Sequence, residues 1–402
     1  MNDKKKVLIV HNLYRIPGGE DSVAASEKKL LEDKGHEVFL YTRNNSEIDK
    51  AGPAGKALLP FVSVFNPRTY REIKRLIREK KIDIVHVHNT LTLISPAVYY
   101  AAKSCKVPVV QTIHNFRLMC PNGVFYRDGH ICEDCADRGL GCAIKHSCYR
   151  GSRLQTIVLV MTLRIHRMLR IYGKLNYICL TEFNRDKLLA SGLMSKDRVF
   201  VKPNFAAGSG KDMPYGSRPR QFVYAGRIEE IKGIMVLLEA WKLMGEDAPE
   251  LIICGTGEAE EKCRKYVSDN SLTRIDIKGH VPGEELRQII GSSRALILPT
   301  LWYEGFPMTI VEAFSEGTPV ICSDIGNAGS IVKEGVTGYK FKAGDPGELV
   351  QAVRRCLDDG NDRADDKDIG ASVKDEYLKS YTEEANYVML REIYEKVTSK
   401  VY

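Results

Sequence analysis

Short apolar runs alternate with amphipathic helical segments along most of the chain, and this alternation constrains the fold more than any other feature. Each run is apolar on both faces, which is typical of strands in a parallel sheet covered by helices on both sides. We therefore expect an α/β fold with a doubly wound parallel sheet in each half. The predicted strands are Lys6–His11, Glu37–Tyr41, Ile82–His88, Val107–Ile113, Phe222–Ala225, Leu251–Cys254, Ile275–Lys278, Ala295–Pro299 and Val320–Ser323.

The length of 402 residues exceeds what one hydrophobic core usually fills, so two domains are expected. Residues 203–220 are rich in proline and glycine and poor in apolar residues, as in a linker. This predicts an N-terminal domain at 1–202 and a C-terminal domain at 221–375. The remaining segment, 376–402, includes a helix that must pack on another surface and can return to the first domain. Its apolar stripe consists of Tyr387, Leu390, Ile393 and Tyr394.

Composition excludes several classes of protein. With 44% apolar and 28% charged residues, the chain is neither disordered nor fibrous. The net charge of +7 is too weak to indicate a nucleic-acid binder. We expect no signal peptide and no transmembrane helix, because the apolar runs Val7–Val10 and Thr156–Leu163 are too short, and hence a cytoplasmic protein. Arg68–Lys81 is a basic amphipathic helix, and either a solvated face or a membrane-docking face explains it.

The segment Pro299–Ala313 carries the strongest functional signal, because a strand end, a turn and a helix start follow one another there. Pro307 suits the first helical position, so Gly305 and Phe306 would offer backbone N–H groups and the positive end of a helix dipole to an anion. Glu304 and Glu312 lie eight residues apart, a spacing that lets them bracket a pyrophosphate. The predicted ligand is a nucleotide sugar, with one carboxylate on sugar hydroxyls and the other on a ribose.

A second cluster follows the strand Phe222–Ala225, where Arg227 and Lys232 leave the same sheet edge. A departing pyrophosphate needs positive charge from either a metal or fixed cations, and two cations here would make a metal unnecessary. Further loops at Gly255–Gly257 and Lys278–Val281 follow neighbouring strands and could contact the base through their backbone.

In their joint order these motifs resemble family 4 of the glycosyltransferases. The resemblance rests on Gly226-Arg227 with Lys232-Gly233, on the two glutamates with Gly-Phe-Pro between them, on Gly317–Val320, on Val201–Asn204 and on Gly18–Glu20. It implies a GT-B fold, in which two Rossmann-like domains face a cleft. It also implies retention of anomeric configuration, catalysis without a divalent metal, and a donor held mainly by the second domain.

The resemblance also assigns roles to individual residues. Arg227 and Lys232 would hold the diphosphate, Glu304 the donor-sugar hydroxyls and Glu312 the ribose, while Gly305 and Phe306 would offer amides. His114, at the end of the fourth strand, would face the donor sugar, unless it makes only a structural hydrogen bond. Gly18 and Gly19 would admit the phosphates close to the backbone, or else form a tight turn. The remaining expected donor contacts are Gly255, His280, Val281 and Pro307.

The resemblance further implies the partners: a UDP- or GDP-sugar as donor, a glycan or lipid-linked acceptor of cell-surface polysaccharide synthesis, and a membrane surface to which the chain associates peripherally. No nucleic acid is expected. One departure concerns the loop at Asn327–Ser330, where many relatives carry a glutamate, so no donor contact is assigned to it. His86 and His88, which share one strand face, are interpreted as structural.

Five of the eleven cysteines lie between Cys120 and Cys148. In a cytosolic chain such clustering favours a metal over disulfides. Cys132 and Cys135 have the spacing of a zinc knuckle, and Cys120 with Cys148 would complete four thiolates around a structural zinc. Buried or redox-active thiols are the alternative. A subset of the family shows this insertion where the acceptor should bind, so it could shape that pocket.

Three other functions compete with that of a glycosyltransferase. A sugar-nucleotide epimerase or hydrolase of the same fold would bind the same donor but need no acceptor. A zinc-bearing nucleic-acid module would need basic and aromatic residues clustered near the cysteines, where the basic residues are sparse. A nicotinamide dehydrogenase is disfavoured because no Gly-x-Gly-x-x-Gly turn follows the first strand. Asp366-Lys367-Asp368 is interpreted as a solvated loop rather than a metal site.

Overall fold

The structure is a computed structural model that describes residues 4–15, 18–208, 213–358 and 368–399. The nine predicted strands are all present, with ends displaced by a few residues at most. The strands are β1 Lys6–Leu13, β2 Glu37–Asn44, β3 Ile84–Asn89, β4 Val109–Ile113, β5 Tyr126–Arg127, β6 His130–Ile131, β7 Asn176–Cys179, β8 Val199–Val201, β9 Gln221–Ala225, β10 Glu250–Cys254, β11 Ile275–Gly279, β12 Ala295–Leu298, β13 Val320–Ser323 and β14 Gly338–Phe341.

The α-helices cover both faces of the sheets. They are α1 Gly19–Asp33, α2 Glu47–Lys50, α3 Pro53–Val64, α4 Pro67–Lys80, α5 Ala97–Ser104, α6 Asp134–Asp137, α7 Gly141–Lys145, α8 Arg153–Met168, α9 Glu182–Ala190, α10 Ile234–Met244, α11 Glu260–Asp269, α12 Gly283–Ser292, α13 Met308–Ser315, α14 Gly326–Ile331, α15 Pro346–Asp358, α16 Ile369–Ser380 and α17 Glu383–Ser399. Among the described residues, no helix combines the length and the apolar character needed to cross a bilayer.

The chain forms two compact units. The N-terminal unit contains the residues up to Phe125, then Cys132–Pro203, and the chain from Tyr387 onward. The C-terminal unit contains Asn204–Asn386 and the small β5–β6 hairpin. The division falls at the start of the predicted linker, of which residues 209–212 lie outside the described chain. Asp366 and Lys367 also lie outside it.

The N-terminal unit contains a parallel sheet in the order β2-β1-β3-β4-β7-β8. Strands β1 and β3 pack at its centre, and Val7 to Val10 are fully buried. The sequence analysis did not predict β7 and β8, which have four and three residues. β7 begins with asparagine, a residue that is rare in strands, and three residues give β8 little periodicity.

Helix α17 packs its apolar stripe into the core of the N-terminal unit. Leu390, Ile393, Tyr394 and Val397 join a buried cluster with residues from β1, β3, β4 and β7. The hydroxyl of Tyr394 also lies 2.7 Å from Nδ1 of His86. The stripe therefore has an apolar partner surface with one buried polar contact.

The C-terminal unit repeats the architecture, with the parallel order β11-β10-β9-β12-β13-β14. The chain runs outward from β9 through β10 to β11, and then returns to place β12 on the other side of β9. In open α/β sheets such a reversal of strand order leaves a crevice outside the carboxyl ends of the two strands, here β9 and β12, and ligands bind at such a switch point.

Candidate functional site

Lys232 and Glu304 form an ion pair beside the β9–β12 switch point. The Lys232 ammonium lies 2.7 Å and 2.9 Å from the two carboxylate oxygens of Glu304. The Thr300 hydroxyl and the Trp302 indole N–H each donate to the same carboxylate oxygen at 3.0 Å. The Glu304 carboxylate is thus held in one orientation by three donors, with only 7% of the residue exposed.

Glycine at position 233 lets the β9 loop approach the β12 loop closely enough to form this pair. Gly233 has a φ of +75°, and a Cβ there would lie 1.7 Å from the carbonyl oxygen of Pro299. Beside it, the Leu301 N–H donates to the Ile231 carbonyl at 3.0 Å. A side chain at position 233 would separate the two loops and with them Lys232 and Glu304.

Arg227, predicted to act with Lys232, has a different environment. Its side chain is 64% exposed and pairs with Glu229. The adjacent Gly226 packs against the β10 loop, where a Cβ on Gly255 would lie 1.8 Å from the Gly226 carbonyl oxygen. Gly255 is therefore required for the packing of the two loops. Arg227, with its exposed side chain, has room to turn towards a ligand.

Helix α13 begins at Met308, and Pro307 is its N-cap residue. The prediction that Pro307 occupies the first helical position was therefore wrong by one residue, because its ψ of 96° is extended rather than helical. Gly305 and Phe306 still immediately precede the positive end of the helix. The geometry remains that of an anion-binding helix start.

Asn327 was missed by the sequence analysis. Its side-chain amide donates to the backbone carbonyl of Gly305 at 2.7 Å and also to that of Glu304. These bonds fix the peptide groups that precede α13. The loop that lacks the glutamate of many relatives thus orients the turn, and a lone asparagine offers no sequence signal for that role.

Glu312 lies in α13 and is half-buried. Burial raises the pKa of its carboxyl, against an opposing effect of Arg287. A buried carboxylate gains by accepting hydrogen bonds, and ribose hydroxyls are suitable donors. At the end of β11, His280 is exposed and Val281 is buried, so of these two side chains that of the histidine is the accessible one.

In the N-terminal unit, His114 lines a cavity of about 90 Å³ at the end of β4. Its Nε2 lies 3.0 Å from Nδ1 of His88. Desolvation lowers the pKa of both imidazoles, well below its usual range for His88, so both are neutral near pH 7. A neutral, oriented histidine lining a cavity can accept or donate one hydrogen bond to a ligand.

The Gly18–Glu20 turn lies close to His114. Glu20 accepts hydrogen bonds from the Asn115 amide at 2.8 Å and from the Tyr14 hydroxyl at 2.8 Å. Gly18 is the N-cap of α1 with an extended backbone, and a Cβ on Gly19 would meet nothing within 4 Å. Neither glycine is required by turn geometry, so the space beside them is open to a ligand.

A sealed charge network lies beneath this cavity. Glu27 is within 2.8 Å of His86 and 3.2 Å of the Lys202 ammonium, and all three side chains are at most 1% exposed. Burial alone would raise the pKa of Glu27, but Lys202 and His86 outweigh it and hold the pKa well below its usual range. Glu27, His86 and His88 have the spacing of metal ligands, but the lysine already supplies the compensating cation. The interpretation of both histidines as structural fits this network.

Comparison with known proteins decides the family. The family model described as "Glycosyl transferases group 1" matches residues 213–372, and the model described as "Glycosyltransferase Family 4" matches residues 17–137. The chain belongs to family 4 of the glycosyltransferases. The first match contains the Lys232–Glu304 pair, and the second contains His114 and the Gly18–Glu20 turn.

Curated relatives match this glycosyltransferase over most of their length. A UDP-Gal:alpha-D-GlcNAc-diphosphoundecaprenol alpha-1,3-galactosyltransferase of Escherichia coli is 24% identical over 372 residues, which cover 88% of this chain and 89% of the relative. A phosphatidyl-myo-inositol mannosyltransferase of Mycolicibacterium smegmatis is 23% identical over 373 residues, covering 87% and 84%. The chain is accordingly a glycosyltransferase of the hexosyl-transferring kind.

Solved structures confirm the GT-B fold. A lipopolysaccharide outer core galactosyltransferase superposes with a TM-score of 0.66 at 18% identity, covering 96% of this chain and 98% of that one. Anabaena HepE in complex with UDP superposes with a TM-score of 0.65 at 15% identity, covering 98% and 100%.

In the cysteine-rich segment of the glycosyltransferase, several thiols lie close enough to influence one another, but they are not spaced as the ligands of one metal ion. Burial, and then the neighbouring Cys120 and Cys148, raise the pKa of the Cys135 thiol to about 12. Within the described chain, however, the cysteines include no group of three sulfur atoms within 4.8 Å of one another.

Proposed function

We propose that this glycosyltransferase transfers a hexose, with retention of configuration and without a catalytic metal, from a UDP- or GDP-sugar to a lipid-linked glycan acceptor. The observation that carries the donor assignment is the Lys232–Glu304 pair at the β9–β12 switch point. It combines a cation for the diphosphate with an oriented carboxylate for sugar hydroxyls.

Donor binding would replace the ion pair between Lys232 and Glu304 with contacts from each residue to the donor. In the free protein the Lys232 ammonium is neutralised by Glu304, and a bound diphosphate provides a more highly charged partner. Glu304 keeps its hydrogen bonds from Thr300 and Trp302 and can accept others from the sugar. As the glycosidic bond breaks, negative charge grows on the leaving diphosphate, where fixed cations and the amides before α13 stabilise it.

The remaining donor roles follow from position. Arg227 turns from Glu229 to the diphosphate, and Glu312 accepts hydrogen bonds from the ribose. Gly18, Gly19 and His114 belong to the N-terminal unit, where His114 is the candidate group for hydrogen bonding to the reacting sugar. Its neutral state at pH 7 allows it to act as an acceptor.

Metal independence rests on Lys232 and Arg227 as the source of positive charge. We expect turnover in excess chelator to equal turnover without it. Loss of turnover that added Mg²⁺ or Mn²⁺ restores, in protein that remains folded, would contradict this part of the proposal.

The acceptor class is supported by the two full-length relatives, whose names specify a diphosphoundecaprenol-linked sugar and a phosphatidylinositol. Both are sugars or polyols joined through phosphate to a lipid. The proposal extends this acceptor class, and association with a membrane surface, to the present chain.

The cysteine-rich segment is proposed to hold a structural zinc ion through Cys120, Cys132, Cys135 and Cys148. Cys120 and Cys148 both raise the pKa of the Cys135 thiol, so three of the four proposed ligands lie near one another, although the sulfur atoms would have to move closer together to bind zinc. Elemental analysis of protein purified without chelator should give one zinc per chain. The absence of stoichiometric zinc would leave buried thiols as the interpretation.

The donor assignment is tested with a panel of nucleotide sugars. One UDP- or GDP-hexose should raise the melting temperature, by an amount that grows with ligand concentration. Lys232→Ala should abolish the shift, whereas Lys262→Ala, which removes an exposed lysine paired with Glu230, should not. With the stabilising donor and a lipid-linked acceptor, NMR of the product should show the anomeric configuration of the donor. Free sugar as the sole product would instead favour a hydrolase.

A further inference from the structure

Helices α3 and α8 of the N-terminal unit both expose large apolar side chains, and on each helix these side chains lie along one face. On α8 these are Leu154, Ile157, Met161 and Met168, which recur every three to seven residues. On α3 they are Leu58, Phe61 and the adjoining Phe65. Phe61 is 72% exposed and Met168 76%. Apolar side chains clustered at this density mark a site for a protein partner or a lipid.

The charge around these helices favours an anionic lipid. Neither α3 nor α8 contains an aspartate or glutamate, and residues 138–181 contain none at all. The same stretch carries eight basic residues, namely Arg138, Lys145, Arg150, Arg153, Arg164, Arg167, Arg170 and Lys174. Apolar residues flanked by cations are typical of proteins that lie on an anionic membrane surface.

Between the two helices lies a groove of about 350 Å³, which we call the α3–α8 groove. One face of α3 lines it with Lys56, Leu59, Pro60 and Ser63, and α8 contributes Leu154, Gln155, Val158, Leu159 and Thr162. Arg15 and Arg150 also line the groove, from neighbouring loops. The groove thus combines an apolar wall with three cations.

The α3–α8 groove adjoins the cavity that contains His114. Ser63, Leu91, Leu159 and Thr162 line both spaces. Leu154, Lys56 and Arg150 line the groove, and His114 lines the adjoining cavity. A molecule bound across both spaces would therefore contact an exposed apolar side chain, two cations and a histidine. An amphiphile with an aliphatic chain, a phosphate or diphosphate and a terminal sugar offers a matching group for each.

We infer that the α3–α8 groove is the site of the lipid-linked acceptor. The aliphatic chain lies against α3 and α8, the phosphate or diphosphate binds Lys56 and Arg150, and the terminal sugar enters the His114 cavity. The exposed apolar side chains of α3 and α8 also dock the protein on the membrane that contains the acceptor. This inference rests on the proposed function, because it specifies the acceptor of that reaction.

Membrane docking is tested with the full chain and sedimenting vesicles. Vesicles of phosphatidylcholine with phosphatidylglycerol should bind the protein more tightly than phosphatidylcholine alone, and salt should weaken the difference. The double variant Phe61→Ser, Met161→Ser should reduce binding at least tenfold, because two large side chains lose apolar burial. The control is Leu243→Ser, which removes a side chain that is 62% exposed on α10 of the C-terminal unit.

Equal vesicle binding by the double variant and the wild type would overturn the docking surface. So would a wild-type dimer that the double variant converts to a monomer, since these apolar side chains would then form a contact between copies of the chain. Circular dichroism of each variant checks that the fold is retained.

Acceptor binding is tested with farnesyl diphosphate as the probe, by calorimetry in saturating UDP so that the donor site is filled. Inorganic diphosphate and farnesol are the comparators for charge alone and chain alone, and both should bind more weakly than the probe. Lys56→Ala and Arg150→Ala should each weaken probe binding about tenfold, the value of one charge-assisted hydrogen bond. Val158→Trp should block the groove and abolish binding.

UDP binding is measured separately for each variant and should not change. If the wild type binds UDP but the probe binds no better than inorganic diphosphate, or if Val158→Trp leaves probe binding intact, the groove assignment is wrong and the donor assignment stands. If the wild type fails to bind any nucleotide or nucleotide sugar, the proposed function itself fails.

Discussion

Each unit of the molecule contains a lysine–glutamate pair that joins residues distant in sequence, and the two pairs differ in access. In the N-terminal unit, Glu27 and Lys202 are both 1% exposed, and His86 and Tyr394 complete a network sealed beneath α17. In the C-terminal unit, Lys232 and Glu304 are 16% and 8% exposed and lie where two strands end.

The comparison separates a structural charge pair from a functional one. A sealed pair has no partner to exchange, so its charges stabilise the fold only by matching each other. A pair at a strand end can release its partner to a ligand, and its exposed fraction marks where that ligand enters. Burial, rather than the residue types, distinguishes the two roles.

The largest expected effect is on the sealed pair. Lys202→Met should lower the free energy of unfolding by about 3 to 5 kcal/mol, because Glu27 is left as an uncompensated buried charge. Lys28→Met breaks the exposed Lys28–Glu32 pair on α1, the helix that also contains Glu27. It should lower the free energy of unfolding by at most about 0.5 kcal/mol. Urea denaturation measures both. If both variants lost the same small amount of stability, the network around Glu27 and Lys202 would contribute little to the stability of the fold.

The accessible pair should affect turnover instead. Lys232→Ala is expected to lower kcat about 100-fold, equivalent to about 2.7 kcal/mol of transition-state stabilisation. Lys262→Ala should leave kcat unchanged. Arg227→Ala should cost as much only if its side chain turns from Glu229 to the diphosphate. Near wild-type kcat in Lys232→Ala would break the distinction between the two pairs.

The two units should respond oppositely to mild acid. His88 and His114 have lowered pKa values, so the unfolded chain takes up protons at a higher pH than the folded chain. The N-terminal unit therefore loses stability as the pH falls below ~6.5. Glu312 has a raised pKa, so its protonation in the folded state stabilises the C-terminal unit as the pH falls towards ~4.5.

Hydrogen exchange followed by mass spectrometry, resolved by segment between pH 7 and pH 5, measures this difference. β4 should lose protection before β9 and β12. In Glu312→Gln the acid stabilisation of the C-terminal unit should disappear. Uniform loss of protection in both units would argue against an opposite response of the two units to acid.

The smallest expected effect concerns Gly19. Gly19→Ala should change the free energy of unfolding by less than about 0.5 kcal/mol, since its Cβ meets nothing within 4 Å. It should nevertheless raise the KM for the donor if phosphates approach this backbone. Gly233→Ala should instead destabilise the C-terminal unit, because its Cβ would collide with Pro299. Thermal denaturation and initial rates distinguish the two, and an unchanged donor KM in Gly19→Ala would exclude close approach.

Much of the fold could be predicted from periodicity, because an element's type depends on residues close in sequence. The strands β7, β8 and β14 were not predicted, because β8 has only three residues and because β7 and β14 begin with asparagine and glycine, which are rare in strands. In the candidate site, the residue types around Glu304 and Lys232 were predicted from motifs. Asn327 was not, because its hydrogen bonds to Glu304 and Gly305 join positions more than twenty residues apart.

The sequence by itself determined the α/β class, the two-part organisation and the residues that resemble a donor site, since these depend on local spacing and motif order. Only the tertiary structure decided that Glu27 pairs with Lys202, that Lys232 pairs with Glu304, and that α3 and α8 enclose a groove beside His114. Such pairings depend on how whole elements pack, and chain spacing does not fix the distance between side chains once helices and strands have assembled.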